Sequence, residues 1–147
     1  MNLHLFRPIT SGLLRAGFQR THQFRQCTST TLSELEFDKQ AESTLHALTD
    51  FFDTLPERLP THSDFDVSYS MGVLTLHVAP KIGTYVINKQ TPNRQIWLSS
   101  PMSGPKRYDW IDKQWIYKHD DVSLHQLLEA EFAKIFNAPS IGILELK

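Results

Sequence analysis

The sequence predicts an α+β fold in which two helices pack on one face of an antiparallel sheet of about six strands. Three observations lead to this prediction: an apolar stripe at helical spacing early in the chain, a second one near its end, and a long stretch of period-two alternation between them. A chain of 147 residues with 40% hydrophobic residues can bury the core of one domain. No apolar run approaches the roughly 18 residues that a membrane-spanning helix needs, so no transmembrane helix is expected, and the membrane is not among the expected partners.

The first helix is predicted from about Ser33 to Leu55. Its apolar stripe consists of Ala41, Leu45, Leu48, Phe52 and Leu55. Ser33 and Glu36 have the spacing of a capping box, in which each side chain accepts a hydrogen bond from the other residue's backbone amide. Pro56 and Pro60 are expected to bound the far end, because proline lacks an amide hydrogen and disfavours a helical residue before it.

The alternating stretch, from Phe65 to Lys118, predicts six strands. They are Asp66–Tyr69, Val73–Ala79, Thr84–Lys89, Arg94–Ser99, Lys106–Trp110 and Gln114–Lys118. Met71 and Gly72 form the expected turn of the first hairpin, and segments rich in proline, glycine and asparagine separate the later strands. A crossover between parallel strands needs about a dozen residues or more, and these connections are shorter. The strands are therefore predicted to form an antiparallel meander.

A second helix is predicted from Val122 or Ser123 to about Asn137, just before Pro139. Its apolar face consists of Leu124, Leu127, Leu128, Phe132 and Ile135. The tail that follows, residues 141–147, is apolar enough to pack along the domain. With both helices on one face of the sheet, the other face is left to solvent.

Trp97 is predicted to lie on that uncovered face. In its strand Ile96 and Leu98 point to the core, so Trp97 points the other way. The residues expected outward with it are Asn88, Gln95 and Ser99, with Arg107 and Asp109 on the same side. A tryptophan among amide and guanidinium groups is typical of a protein-binding surface. The alternative is a tryptophan whose exposure is incidental.

The first helix and the segment after it are strongly acidic. Residues 34–66 hold nine acids, Glu34, Glu36, Asp38, Glu42, Asp50, Asp53, Glu57, Asp64 and Asp66, and only two bases. Asp38, Glu42, His46, Thr49 and Asp53 share one arc of the helix, where like charges one turn apart repel. This predicts a surface for a cation or a basic partner, with His46 as a possible nitrogen ligand; the alternative is an ordinary solvated face. Exposed oxygen ligands along one surface predict weak, multiple binding of a hard or borderline divalent ion.

Residues 1–33 have the composition of an organelle presequence, so the mature domain is predicted to span 34–147. The segment contains four arginines, eight serines and threonines, and no acid. Its removal takes away four of the positive charges and leaves a net charge of about −5. It also takes away Cys27, the chain's one cysteine, so thiol catalysis and cysteine metal sites are excluded. No phosphate-binding loop, dinucleotide motif or nucleophile elbow is present, and an acidic domain does not suit nucleic acid.

The chain resembles the frataxin family over about residues 35–136. The resemblance rests on GTYVINKQTPNRQIWLSSPMSGPKRYDW, beginning at Gly83, and on WIYKHDDVSLHQLL, beginning at Trp115. It implies two helices packed on an antiparallel sheet and a place in the mitochondrial matrix. It also implies partners in iron–sulfur cluster assembly: a cysteine desulfurase, its accessory subunit and the cluster scaffold protein. We expect a monomer with weakly bound ferrous iron and no organic cofactor.

The resemblance implies two sets of site residues. The acidic positions expected to bind iron are Asp38, Glu42, Asp50, Asp53, Glu57, Asp64 and Asp66, to which the helix pattern adds His46. The positions expected to face the partner proteins are Asn88, Lys89, Gln95, Trp97, Lys106 and Arg107, to which strand alternation adds Ser99. Two functions stay open: an activator of sulfur transfer without catalytic activity of its own, and an iron chaperone or ferroxidase.

Overall fold

The computed structural model describes residues 32–146, which form a seven-stranded antiparallel sheet with helices on one face. The helices are α1 (Glu34–Asp53), α2 (Leu55–Arg58) and α3 (Leu124–Phe136). The strands are β1 (Asp66–Ser70), β2 (Val73–Ala79), β3 (Gly83–Gln90), β4 (Gln95–Ser100), β5 (Gly104–Ile111), β6 (Gln114–Tyr117) and β7 (Val122–Ser123). The strands lie in chain order across the sheet, which confirms the predicted meander. The predicted presequence lies outside the described residues except for its last two positions.

Helix α1 begins with the predicted capping box. The Ser33 hydroxyl accepts a hydrogen bond from the Glu36 amide at 3.3 Å, and the Glu36 carboxylate accepts one from the Ser33 amide at 2.9 Å. The helix ends at Asp53, and a separate one-turn helix, α2, carries Pro56 in its first turn. Pro56 therefore starts a helical turn instead of ending one, since the first turn is where the missing amide hydrogen of proline costs nothing.

The sheet differs from the prediction by one strand. The six predicted strands are present with ends shifted by up to two residues, and the two-residue strand β7 pairs with β6 through Ile116 and Ser123. The β1–β2 turn is the predicted one: Met71 and Gly72 have φ angles of 51° and 76°, both positive as a two-residue type I′ turn requires.

The core lies between the sheet and the helices. Helix α1 packs over β1 to β3, and α3 packs over β6 and β7. The largest fully buried side chains are Trp115, Tyr85, Tyr108, Phe37, Phe52 and Phe132. Trp115 also donates a hydrogen bond from its indole nitrogen to the Thr44 hydroxyl at 2.9 Å, which links β6 to α1. Within residues 32–146, none of the helices combines the length and the hydrophobicity that crossing a membrane requires.

The segment after α3 packs back onto the domain, as its apolar composition predicts. Ile141 and Ile143 are buried in the core. The Glu129 carboxylate of α3 accepts hydrogen bonds from the Ser140 hydroxyl and from the backbone amides of Ile141, Gly142 and Ile143, at 2.6 to 3.1 Å. The tail is therefore held by polar bonds as well as by apolar contact.

Candidate functional site

Trp97 lies near the middle of the sheet, on the face opposite the helices. It pairs with Asn88 of β3 on one side and with Arg107 of β5 on the other, while its neighbours Ile96 and Leu98 are buried in the core. The Arg107 guanidinium stacks on the indole ring, 4.4 Å from its centroid. The predicted outward position is confirmed, with the ring half-buried against its neighbours.

A chain of polar contacts fixes the orientation of the Trp97 ring. The indole nitrogen donates to the Gln95 side-chain oxygen at 3.1 Å, and the Gln95 amide donates to Asp109 at 3.2 Å. The other carboxylate oxygen of Asp109 lies 3.1 Å from the Lys118 ammonium. Lys118 was not predicted to take part, because pairing between β5 and β6 is what brings it to Asp109. These contacts set the orientation of the indole ring on the sheet.

Five of the seven predicted partner-facing residues share this face. They are Asn88, Gln95, Trp97, Ser99 and Arg107, which we call the tryptophan face. Lys89 and Lys106 do not belong to it: Lys89 pairs with Ile96 and Lys106 with Leu98, both core residues. Adjacent strand residues point to opposite faces, so these two lysines start from the helix side of the sheet. Their contact with a partner protein stays a prediction.

The loop after Trp97 is anchored from the helix side. Ser100, at the end of β4, is buried and donates from its hydroxyl to the Glu131 carboxylate of α3 at 2.7 Å. The same hydroxyl accepts from the backbone amides of Met102 and Ser103, each at 3.0 Å. Nothing in the sequence marks this contact, since its partners are 31 residues apart. It fixes the turn that leads into Arg107.

On α1 the predicted iron ligands Asp38 and Glu42 are joined by a lysine. The Lys89 ammonium lies 2.8 Å from a Glu42 oxygen and 3.1 Å from an Asp38 oxygen. The Tyr69 hydroxyl donates to the other Glu42 oxygen, and His46 lies 3.7 Å from that oxygen. The bond from Lys89 and the bond from Tyr69 together lower the pKa of Glu42, against the opposing effect of burial.

The other predicted ligands are spread over the surface. Asp50, Asp53, Glu57 and Asp64 are exposed, and Asp64 lies 3.8 Å from His62. Asp66 is in register with His77 at the edge strand, in line with the outward-pointing Ser68 and Ser70 and away from α1. In the described part of the chain, no three aspartate, glutamate, histidine or cysteine side chains are grouped as a metal site requires. The carboxylates suit a hard divalent ion, but only one or two are available at any point.

A sequence profile described as Frataxin-like domain matches residues 30–138. The chain belongs to the frataxin family. It is 51% identical to frataxin, mitochondrial, of Caenorhabditis elegans over 85% of this chain and 90% of the relative. It is 47% identical to the frataxin homolog, mitochondrial, of Drosophila melanogaster over 81% of this chain and 65% of the relative.

Solved frataxin structures share the fold. A structure of trimeric frataxin from the yeast Saccharomyces cerevisiae, described as complexed with ferrous, has a TM-score of 0.60 and 41% identity. The match covers 67% of this chain and 86% of that one. These findings confirm the family resemblance and the α+β fold. Since the relatives are mitochondrial frataxins, the protein is mitochondrial, with the matrix as the family's usual compartment.

Proposed function

We propose that this protein activates iron–sulfur cluster assembly by docking its tryptophan face on the complex of cysteine desulfurase, accessory subunit and scaffold protein. The bound frataxin favours the conformation in which the desulfurase persulfide passes to the scaffold. The observation that carries the proposal is the orientation of Trp97, held by Arg107 on its face and by Gln95 at its edge. No cysteine lies in residues 32–146, so in this proposal the domain acts on sulfur carried by its partners.

The geometry of the tryptophan face favours tight docking. Tryptophan and arginine are the residues that most often dominate binding energy at protein interfaces. Because the ring already has its hydrogen bond and its stacked guanidinium, little side-chain freedom is lost on binding. The flanking residues Asn88 and Ser99 offer polar groups at the rim of the contact, as a protein interface requires.

The test is Trp97→Ala, measured as sulfide production and persulfide transfer by the reconstituted complex. We expect the concentration of frataxin that gives half-maximal activation to rise about 30-fold, as for loss of an interface anchor worth about 2 kcal/mol. Met71→Ala is the matched control: Met71 is 98% exposed, apolar and located at the tip of the β1–β2 turn. Circular dichroism and thermal unfolding establish that both variants are folded.

The result that contradicts the proposal is full activation by folded Trp97→Ala at wild-type concentration. An equal loss in Met71→Ala would also contradict it, because it would show a general sensitivity to surface apolar residues. Arg107→Ala should give a smaller loss in the same direction, since the tryptophan remains but loses the group that stacks on it.

The second candidate function is weak ferrous iron binding by the acids of α1 and the following segment, for delivery or for oxidation by oxygen. It is supported by the density of carboxylates and by the yeast relative described as complexed with ferrous. We expect affinities in the range of about 10⁻⁴ M, comparable with weak calcium modules. Replacing Asp38, Glu42, Asp50 and Asp53 with amides should abolish iron binding measured by anaerobic calorimetry. Persistent binding in that variant would place iron elsewhere.

A further inference from the structure

Lys89 is held against α1 by three features of the fold. Alternation along β3 turns its side chain to the helix side, where it is only 20% exposed. Its aliphatic stem lies along Gly72: a Cβ atom built at this glycine would be in van der Waals contact, at 3.4 Å, with both Cβ and Cε of Lys89. The ammonium then meets Glu42 at 2.8 Å and Asp38 at 3.1 Å.

The position of the ammonium is the one that a divalent ion would need. Asp38 and Glu42 are one helical turn apart, so an ion bridging them would lie between their carboxylates. Lys89 already lies there and contacts one oxygen of each. Tyr69 donates to the remaining Glu42 oxygen, which leaves that carboxylate with bonds on both sides.

We propose that Lys89 is a built-in counter-ion that keeps divalent cations off the Asp38–Glu42 pair. Within residues 32–146, Asp50, Asp53 and Glu57 form no salt bridge. The inference rests on the second candidate function, iron binding by the acids of α1. It adds that the Asp38–Glu42 pair is the part of this surface that cations do not occupy. A divalent ion at Asp38 and Glu42 would lie beside a like charge, whereas one at Asp50 or Asp53 would not.

The proposal predicts a gain of binding when the lysine is removed. Lys89→Met keeps the apolar stem and removes the charge, so Asp38 and Glu42 become free to bind an ion together. Removing one positive charge at about 4 Å from a divalent ion should raise its affinity for this pair by on the order of tenfold or more. Mn²⁺ is the probe, because it is a hard divalent ion that resists oxidation by air.

The experiment is Mn²⁺ calorimetry on four proteins: wild type, Lys89→Met, Lys89→Met with Glu42→Gln, and Lys81→Met. The last is the matched control, since Lys81 lies before the other end of β3, roughly 25 Å along the strand from Lys89. We expect one tighter site in Lys89→Met, its loss in the double variant, and wild-type binding in Lys81→Met. A Lys89→Met protein that binds Mn²⁺ no more tightly than wild type overturns the inference, as does a gain that survives Glu42→Gln.

Thermal unfolding gives a second readout and separates this inference from the function on which it rests. Without Mn²⁺, Lys89→Met should unfold at a lower temperature than wild type, because Asp38 and Glu42 then repel each other. Adding Mn²⁺ should raise the unfolding temperature of Lys89→Met by more than it raises that of wild type. Wild-type binding at Asp50 and Asp53 with no effect of Lys89→Met would overturn only the role of Lys89. No Mn²⁺ binding by any of the four proteins would overturn both.

Discussion

Glu129 is a buried carboxylate whose hydrogen bonds all go to the segment that follows α3. It is 8% exposed and accepts from one hydroxyl and three consecutive backbone amides. Burial by itself raises the pKa of this carboxyl, but the four hydrogen bonds outweigh burial and leave the pKa below its ordinary value of 4.5. The charged form is therefore the one that holds the tail in place.

We expect Glu129→Gln to destabilise the domain at neutral pH. The amide places a donor opposite backbone donors, so the free energy of unfolding should fall by about 1–3 kcal/mol. Because the folded-state pKa of Glu129 is lowered, its contribution is complete above about pH 4.5 and is lost as pH falls through the folded-state pKa. Urea unfolding at pH 7 and at acidic pH should show a difference between variant and wild type that shrinks in acid.

The exposed Glu57→Gln is the control for Glu129→Gln and should change unfolding little at either pH. A difference between Glu129→Gln and wild type that stays constant from pH 7 into acid would contradict the role of the charged carboxylate. Such a result would mean that the lower stability of Glu129→Gln comes from the packing of the amide and not from the lost charge.

The β4–β5 loop is an element whose shape depends on a contact made through the core. Ser100 and Glu131 are both buried, and their hydrogen bond ties the loop on the sheet to α3 on the helix layer. Because β5 begins at Gly104, the loop fixes where β5 starts and so where Arg107 meets Trp97. The helix side thereby influences the tryptophan face without touching it.

We expect Ser100→Ala to loosen this loop. The substitution removes the acceptor for two backbone amides and a donor to the buried Glu131 carboxylate, which should cost about 2 kcal/mol of stability. Amide hydrogen exchange at Met102 and Ser103 should become faster, and activation of the desulfurase complex should weaken less than in Trp97→Ala. Ser103→Ala, at an exposed position of the same loop, is the control. Unchanged exchange at both amides would contradict the anchoring role of Ser100.

The elements that the sequence predicted well are those with a repeated local signal. The apolar stripes of α1 and α3 and the alternation of the strands gave ends within about two residues, because each repeats over many positions. The strand β7 was missed because two residues show no alternation and only pairing with β6 defines them. The helix α2 was missed because proline occurs in the first turn of helices as well as just after their ends, and Pro56 is in the first turn of α2.

The sequence predicts the candidate site correctly where strand alternation determines the face to which a side chain points. The outward position of Trp97 followed from Ile96 and Leu98 alone. Lys89 and Lys106 were assigned to the same surface by family resemblance, although the alternation of their own strands places them on the other side. The contact of Lys89 with Glu42 joins residues 47 positions apart, and no local pattern indicates such a contact.

At the scale of the whole molecule, the two candidate surfaces lie on different layers and carry different charges. The tryptophan face is on the open side of the sheet and contains Arg107, whereas the acids of α1 are on the helix layer. A partner docked on the sheet therefore leaves most of the acids of α1 exposed, so the two proposed functions do not compete for the same surface. Lys89 and Tyr69 connect the layers from the sheet side through Glu42.

The excess of acids over bases in residues 34–66 predicts how the domain responds to salt. Nine acids and two bases in this stretch repel one another at low ionic strength, and each like-charged pair one helical turn apart costs a few tenths of a kcal/mol. Raising NaCl from about 10 mM to about 150 mM shortens the Debye length from about 30 Å to about 8 Å, so the unfolding free energy should rise by roughly 0.5–1 kcal/mol. Scanning calorimetry over this range measures the effect, and a variant with Asp50→Asn, Asp53→Asn and Glu57→Gln should be more stable at low salt and respond less to added salt. A melting temperature that falls as salt is added would mean that attractive pairs such as Asp109–Lys118 outweigh the repulsion along α1.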